Sequence, residues 1–202
     1  MKGRLLAAGV AIALTATLAG AAGAADLKRA EEIVGGRCFI CHGMDGEAAS
    51  ALYPRLASQH ADYIAKQLGD FKSGKRKSDT MAGMVADLTP DEMKALGQFF
   101  EKKPATRSEA SDADLAGVGR YIFTKGNPFS GVAACVSCHG AKGHGTPQLP
   151  RLAGQQALYL ENQLKQFNTR ERNNDNAVMH SVASKLTELE RKAVASYIST
   201  LE

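Results

Sequence analysis

The chain contains no tryptophan, and its only four cysteines are confined to two short clusters. Charge of one sign is also scarce. Residues 1–25 hold two basic residues and no acidic one, so removing them from the full tally leaves 23 basic and 21 acidic residues, a net charge of +2. That is too weak a field to draw the chain onto nucleic acid, and no aromatic residues interleave with the basic ones as a base-stacking platform requires. The one dense basic run, KSGKRK at Lys72–Lys77, reads as a solvated loop. Beyond residue 25 no apolar run approaches the twenty or so residues that a membrane-spanning helix needs.

What is present begins with a leader. Lys2 and Arg4 form a positive start, LLAAGVAIALTATLAG is continuously apolar, and AGAA supplies small residues. This is the pattern of a secretory signal peptide over residues 1–25, cleaved near Ala24 or Ala25, and it predicts a periplasmic location.

In an exported chain four cysteines would ordinarily suggest disulfides. Here, however, CFICH at Cys38 and CVSCH at Cys135 place a histidine directly after each C-x-x-C pair. C-x-x-C-H is the attachment signature of c-type haem. Two thiols add across the two vinyl groups of the porphyrin, and the next imidazole is thereby delivered to the iron. The candidates for covalent attachment are Cys38, Cys41, Cys135 and Cys138, with His42 and His139 as metal ligands. A zinc ribbon would bring its two pairs within about 20 residues of each other and has no need of the histidines.

The motif is part of a longer repeat. YPRLASQHADYIAKQLGDF from Tyr53 lies over LPRLAGQQALYLENQLKQF from Leu149. The apolar positions Ala61, Ile64, Leu68 and Phe71, matched by Ala157, Leu160, Leu164 and Phe167, recur at helical spacing. Further on, MAGMVADLTPDE from Met81 lies over MHSVASKLTELE from Met179. Each copy then opens a helix with a capping box, Thr89 with Glu92 and Thr187 with Glu190. The expected fold is all-α, a tandem duplication of one unit: a helix into C-x-x-C-H, a glycine-rich turn, a middle helix, a methionine loop and a closing helix. The expected boundaries are 26–103 and 113–202, joined by a polar linker at 104–112 that opens with Pro104.

The segments CHGMDG, PRLAGQ, YLENQLKQF, RNNDNAVMHSVASKLT and AVASYISTL resemble the cytochrome c4 family of exported dihaem cytochromes. The resemblance covers essentially all of the chain after residue 25. It implies two tandem class I cytochrome c-like domains, two covalently bound haem c groups, and histidine and methionine on each iron. It also implies a periplasmic electron carrier, soluble or peripherally membrane-associated, often serving a terminal oxidase.

With methionine implied, its position follows from the repeat. Met179 is the only methionine of the second half. In the first, Met44 is too close to His42, and Met93 falls within the closing helix. Aligning Leu88-Thr89 with Leu186-Thr187 sets Met81 over Met179 and Met84 over Val182, so Met81 is the expected ligand and Met84 its rival. His60, His144 and His180 are not repeated and read as ordinary polar residues. A ligating imidazole donates its other N–H to an acceptor, and in c-type cytochromes a proline near the positions of Pro54 and Pro150 supplies the carbonyl. Arg55 and Arg151, with Arg76 and Arg172, are candidate partners of haem propionates, because a guanidinium matches a carboxylate in a fork.

An iron held by two protein ligands has no open position for a substrate, which excludes a substrate pocket and weighs against a peroxidase. The expected function is therefore electron transfer by a monomer; the resemblance implies that it runs from a quinol-oxidising complex to a terminal oxidase or another respiratory acceptor. The alternative is a dihaem subunit of an oxidoreductase such as a flavocytochrome c sulfide dehydrogenase.

Overall fold

The computed structural model describes residues 18–110 and 112–202. Residues 1–17, with the basic start of the expected leader, lie outside the described residues. In chain order the helices are α1 (Leu18–Ile33), α2 (Phe39–His42), α3 (Ala61–Lys72), α4 (Asp79–Val85), α5 (Pro90–Glu101), α6 (Ala113–Lys125), α7 (Val136–His139), α8 (Ala157–Thr169), α9 (Val178–Ala183) and α10 (Glu188–Ser199). A π-helical turn, Val34–Cys38, joins α1 to α2. Among the described residues no strand forms; two isolated bridges, Asn127 with Val132 and Thr146 with Leu149, close loops.

The architecture is one helical unit used twice, each with its own apolar core. In the first, Ala30, Ile33 and Val34 present one helical face to Ile64 and Phe71 of α3 and to Met93, Leu96 and Phe100 of α5. In the second, Ile122 and Phe123 of α6 meet Leu160 of α8 and Val194 and Ile198 of α10. The crossing of α6 on α10 requires a glycine: a Cβ on Gly119 would lie 1.9 Å from the Ala193 carbonyl oxygen. Both capping boxes form, so α5 and α10 start where Thr89 and Thr187 satisfy the first free N–H groups.

The methionine segments differ from the expected loops. Each is a short helix, because a side-chain oxygen is available to start it. Ser78 accepts from the Met81 N–H at the head of α4, and the Asp175 carboxylate accepts from the Met179 N–H at the head of α9. The stretch after α5 is tied down at several points. Lys103 pairs with Asp45 at 2.7 Å, the Thr106 hydroxyl bonds Glu47, the Ser108 N–H donates to Ser199 O at 2.9 Å, and Arg107 pairs with Glu202 at 3.0 Å.

Candidate haem sites

Each C-x-x-C-H ends a one-turn helix whose last residue is the histidine, with the chain leaving through a glycine. Gly43 at φ +73° and Gly140 at φ +77° take a backbone conformation that residues with a Cβ rarely adopt. The turn carries the chain away immediately behind the imidazole and returns it at the Pro-Arg-Leu segment. There the Nδ1 of His42 lies 3.0 Å from Pro54 O, and the Nδ1 of His139 lies 3.2 Å from Pro150 O. A carbonyl only accepts, so in both places Nδ1 carries the proton and Nε2 is left with a free lone pair. Both histidines are buried. Burial pushes their pKa down, against a smaller opposing effect of the carbonyl bond, and holds them neutral as a metal ligand must be.

The four cysteines form no disulfide. Burial pushes the Cys38 thiol up and the Cys135 thiol up to about 11. These are the reverse of the acidic thiols of a C-x-x-C redox pair. Among the described residues there is no cluster of three or more histidine, cysteine or acidic side chains fit to hold a metal ion. Each site offers a single nitrogen with two thiols, a donor set suited to a prosthetic group attached through carbon.

Met81 is half-buried against the first core. Met84, three residues on, is 41% exposed, and its carbonyl accepts from Arg37 at 3.1 Å. Met179 is half-buried at the head of α9. The remaining histidines are spent on carbonyls: His60 Nε2 on His144 O at 2.7 Å, His144 Nε2 on Glu202 O at 2.7 Å, and His180 Nδ1 on Phe167 O at 2.9 Å.

The arginines divide into two kinds. Arg55 and Arg151 meet where the halves touch, beside Gln59, Thr106, Gly154 and Gln155 around a small cavity. Gln155 bonds both the N–H and the carbonyl of Arg55, at 2.8 and 2.9 Å, and Gln59 does the same for Arg151, at 2.9 Å each. The Nε of Arg55 and of Arg151 is nonetheless buried without a hydrogen-bond partner. The Nη1 of Arg55 does donate to Gly154 O at 2.5 Å, but two buried Nε donors without a protein acceptor fit a group that brings carboxylates of its own, as haem does.

Arg76 and Arg172 have other work. Arg76 donates to Gln67 at 2.8 Å and, across the halves, to Tyr159 and Gln163 at 2.9 Å each. Arg172 donates to Asn174 and Gln163 in its own half and reaches Tyr63 at 2.9 Å and Gln67 at 3.2 Å in the other. Each guanidinium also covers a phenyl ring of its own half, Phe71 or Phe167, at 4.6 and 4.5 Å. The expectation that this pair holds propionates gives way to a reciprocal clasp between the halves. Arg76 also takes part of KSGKRK out of solvent. Burial alone would push the Tyr159 phenol up; the two guanidiniums flanking it outweigh that and hold its pKa below the ordinary value. Sequence reasoning missed the clasp, though a signal was there: Tyr63, Gln67 and Arg76 repeat as Tyr159, Gln163 and Arg172.

Comparison with known proteins agrees with the duplication. The family model for cytochrome c matches twice, over residues 27–126 and 119–202. A cytochrome c4 of Thiocapsa roseopersicina is 37% identical over 180 residues, covering 87% of this chain and 93% of the relative. A thiosulfate dehydrogenase electron acceptor of Stutzerimonas stutzeri strain A1501 is 38% identical over 173 residues, covering 81% of this chain and 78% of the relative. The crystal structure of reduced recombinant cytochrome c4 from Pseudomonas stutzeri superposes with a TM-score of 0.82 at 32% identity, covering 87% of this chain and 98% of that one. By its doubled haem-attachment turn, its doubled core and these likenesses, the chain belongs to the cytochrome c family and, within it, to the cytochrome c4 family.

Proposed function

We propose that this protein is an exported dihaem electron carrier. One haem c is attached through Cys38 and Cys41 and ligated by His42 and Met81; the other is attached through Cys135 and Cys138 and ligated by His139 and Met179. The observation that carries this reading is the twofold occurrence of a buried, neutral imidazole oriented by a proline carbonyl one residue after a C-x-x-C pair. When bound, the haems supply one-electron chemistry at iron. The chain's own part is to orient His42 and His139, to offer the half-buried thioethers of Met81 and Met179, to exclude water and to neutralise charge. Methionine on the iron raises the potential relative to histidine. Met81 is preferred to Met84 because it packs towards the core while Met84 faces out. The unpartnered Nε groups of Arg55 and Arg151 support propionate contacts where the halves meet.

The leader over residues 1–25 supports export to the periplasm with cleavage near Ala24 or Ala25. No described helix is long and apolar enough to cross a membrane. In this reading the monomer, free or peripherally associated with the membrane, takes electrons from a quinol-oxidising complex and delivers them to a terminal oxidase. A second reading, acceptor for a particular dehydrogenase, is favoured by the relative named for thiosulfate dehydrogenase. Gel filtration of a periplasmic extract separates the two. The carrier elutes alone at the mass of one chain, whereas co-elution with a dehydrogenase would replace the first reading by the second.

A further inference from the structure

The two halves are not equal where the chain enters the haem-attachment turn. In the first, Val34 leads to Cys38 in four steps through the π-helical turn. In the second, the equally buried Phe123 leads to Cys135 in twelve. The extra residues build a loop with Phe129 at its tip, and Phe129 is 100% exposed. An isolated exposed apolar residue is ordinary on a protein surface, but this one is presented by a braced loop. Asn127 and Val132 exchange two backbone bonds at 2.9 and 3.0 Å. The Asn127 carboxamide oxygen accepts from the Phe129 and Ser130 N–H groups, and its nitrogen donates to Glu190 Oε1 at 2.7 Å. Lys185, which follows the Met179-bearing helix α9, donates to Gly131 O at 3.0 Å. The loop is thus fastened to the segment that leads from α9 into α10.

We infer that Phe129 is a docking knob for a protein redox partner, and that this partner engages the second half in preference to the first. The chemistry of the partner follows from the rim. Lys125, just before the loop, and Lys185, which bonds it, are both exposed, while Glu190, the carboxylate that bonds the loop, is buried and held by Asn127. An apolar tip flanked by two lysines fits an apolar socket bordered by carboxylates. A braced aromatic side chain loses little conformational freedom on binding, which is what makes such residues interface anchors. The first half has no counterpart, so duplication has produced two haem sites and only one such knob. This inference rests on the carrier reading above.

The test follows oxidation of the reduced holoprotein by stopped flow, with membrane vesicles carrying the source organism's own terminal oxidase and, separately, with ferricyanide. Phe129→Ser is expected to lower the second-order rate with the vesicles about tenfold, with the ferricyanide rate and both potentials unchanged. Leu189→Ser, which removes another exposed apolar side chain of the same half, is expected to keep the wild-type rate. An undiminished rate in Phe129→Ser, or an equal loss with ferricyanide, would overturn the proposal. So would Phe129-dependent sedimentation with protein-free vesicles of phosphatidylglycerol and phosphatidylcholine, which would assign the knob to lipid. Vesicles that fail to oxidise the wild type would remove the carrier reading itself, and the docking proposal with it.

Discussion

Replacing Arg172 with leucine should weaken the contact between the two halves, and the structure sets the size of the effect. Arg172 is buried and makes four hydrogen bonds, two within its half and two across. A hydrogen bond to a charged group contributes about 1.5–3 kcal/mol, and relief of the buried charge gives part of that back. A net destabilisation of about 3 kcal/mol is expected. The part that crosses between halves is isolated by a double-mutant cycle with Tyr63→Phe, which removes only the hydroxyl that Arg172 reaches at 2.9 Å. That coupling should be about 1–2 kcal/mol, and the mirror cycle of Arg76→Leu with Tyr159→Phe should give a similar value. Urea unfolding of the holoprotein, followed by far-ultraviolet dichroism and haem absorbance, reads both. A coupling within about 0.3 kcal/mol of zero in both cycles would refute the claim that the clasp joins the halves energetically.

Two other outcomes follow from single side chains. Met179→Ala and Met81→Ala should each abolish the near-infrared sulfur-to-iron band of one haem and lower one potential, while Met84→Ala leaves both bands intact; loss of a band in Met84→Ala with Met81→Ala unaffected would reverse the assignment. Burial pushes the Glu190 carboxyl up, but the bonds from Asn127 and Thr187 outweigh it, so its folded pKa lies below that of an unfolded glutamate. Its contribution to stability is therefore complete above about pH 4.3 and fades as pH falls through the lower folded value. Acid unfolding of Glu190→Gln should be flatter in that range than wild type, and an identical profile would count against the network beneath the Phe129 loop.

The helical repeat was legible because its signals are local. Apolar spacing in α3 and α8 and the boxes at Thr89 and Thr187 depend on residues a few positions apart, and C-x-x-C-H is a covalent motif in five residues. Pairing across the halves was not legible. Tyr63, Gln67 and Arg76 look like a polar helix face and a basic loop until the second copy is laid against the first, whereupon Arg172 and Tyr159 complete them. Arg55 and Arg76 are alike in sequence, both repeated, both next to helices. Only packing shows that Arg55, bonded to Gly154 and Gln155 of the other half, keeps an orphaned Nε, whereas the Arg76 guanidinium bonds Tyr159 and Gln163 there. The methionine segments were misjudged as loops because a helix of six or seven residues has too few apolar repeats to show a period, and its start depends on Ser78 or Asp175.

Everything proposed for this chain requires that each half hold a covalently attached haem c. The direct measurement is intact mass spectrometry of the denatured holoprotein, together with the pyridine haemochrome of the same sample. Two haems per chain that survive acidic acetone, with one lost on Cys38→Ala/Cys41→Ala and the other on Cys135→Ala/Cys138→Ala, is the predicted result. A wild-type chain carrying one haem or none would contradict it.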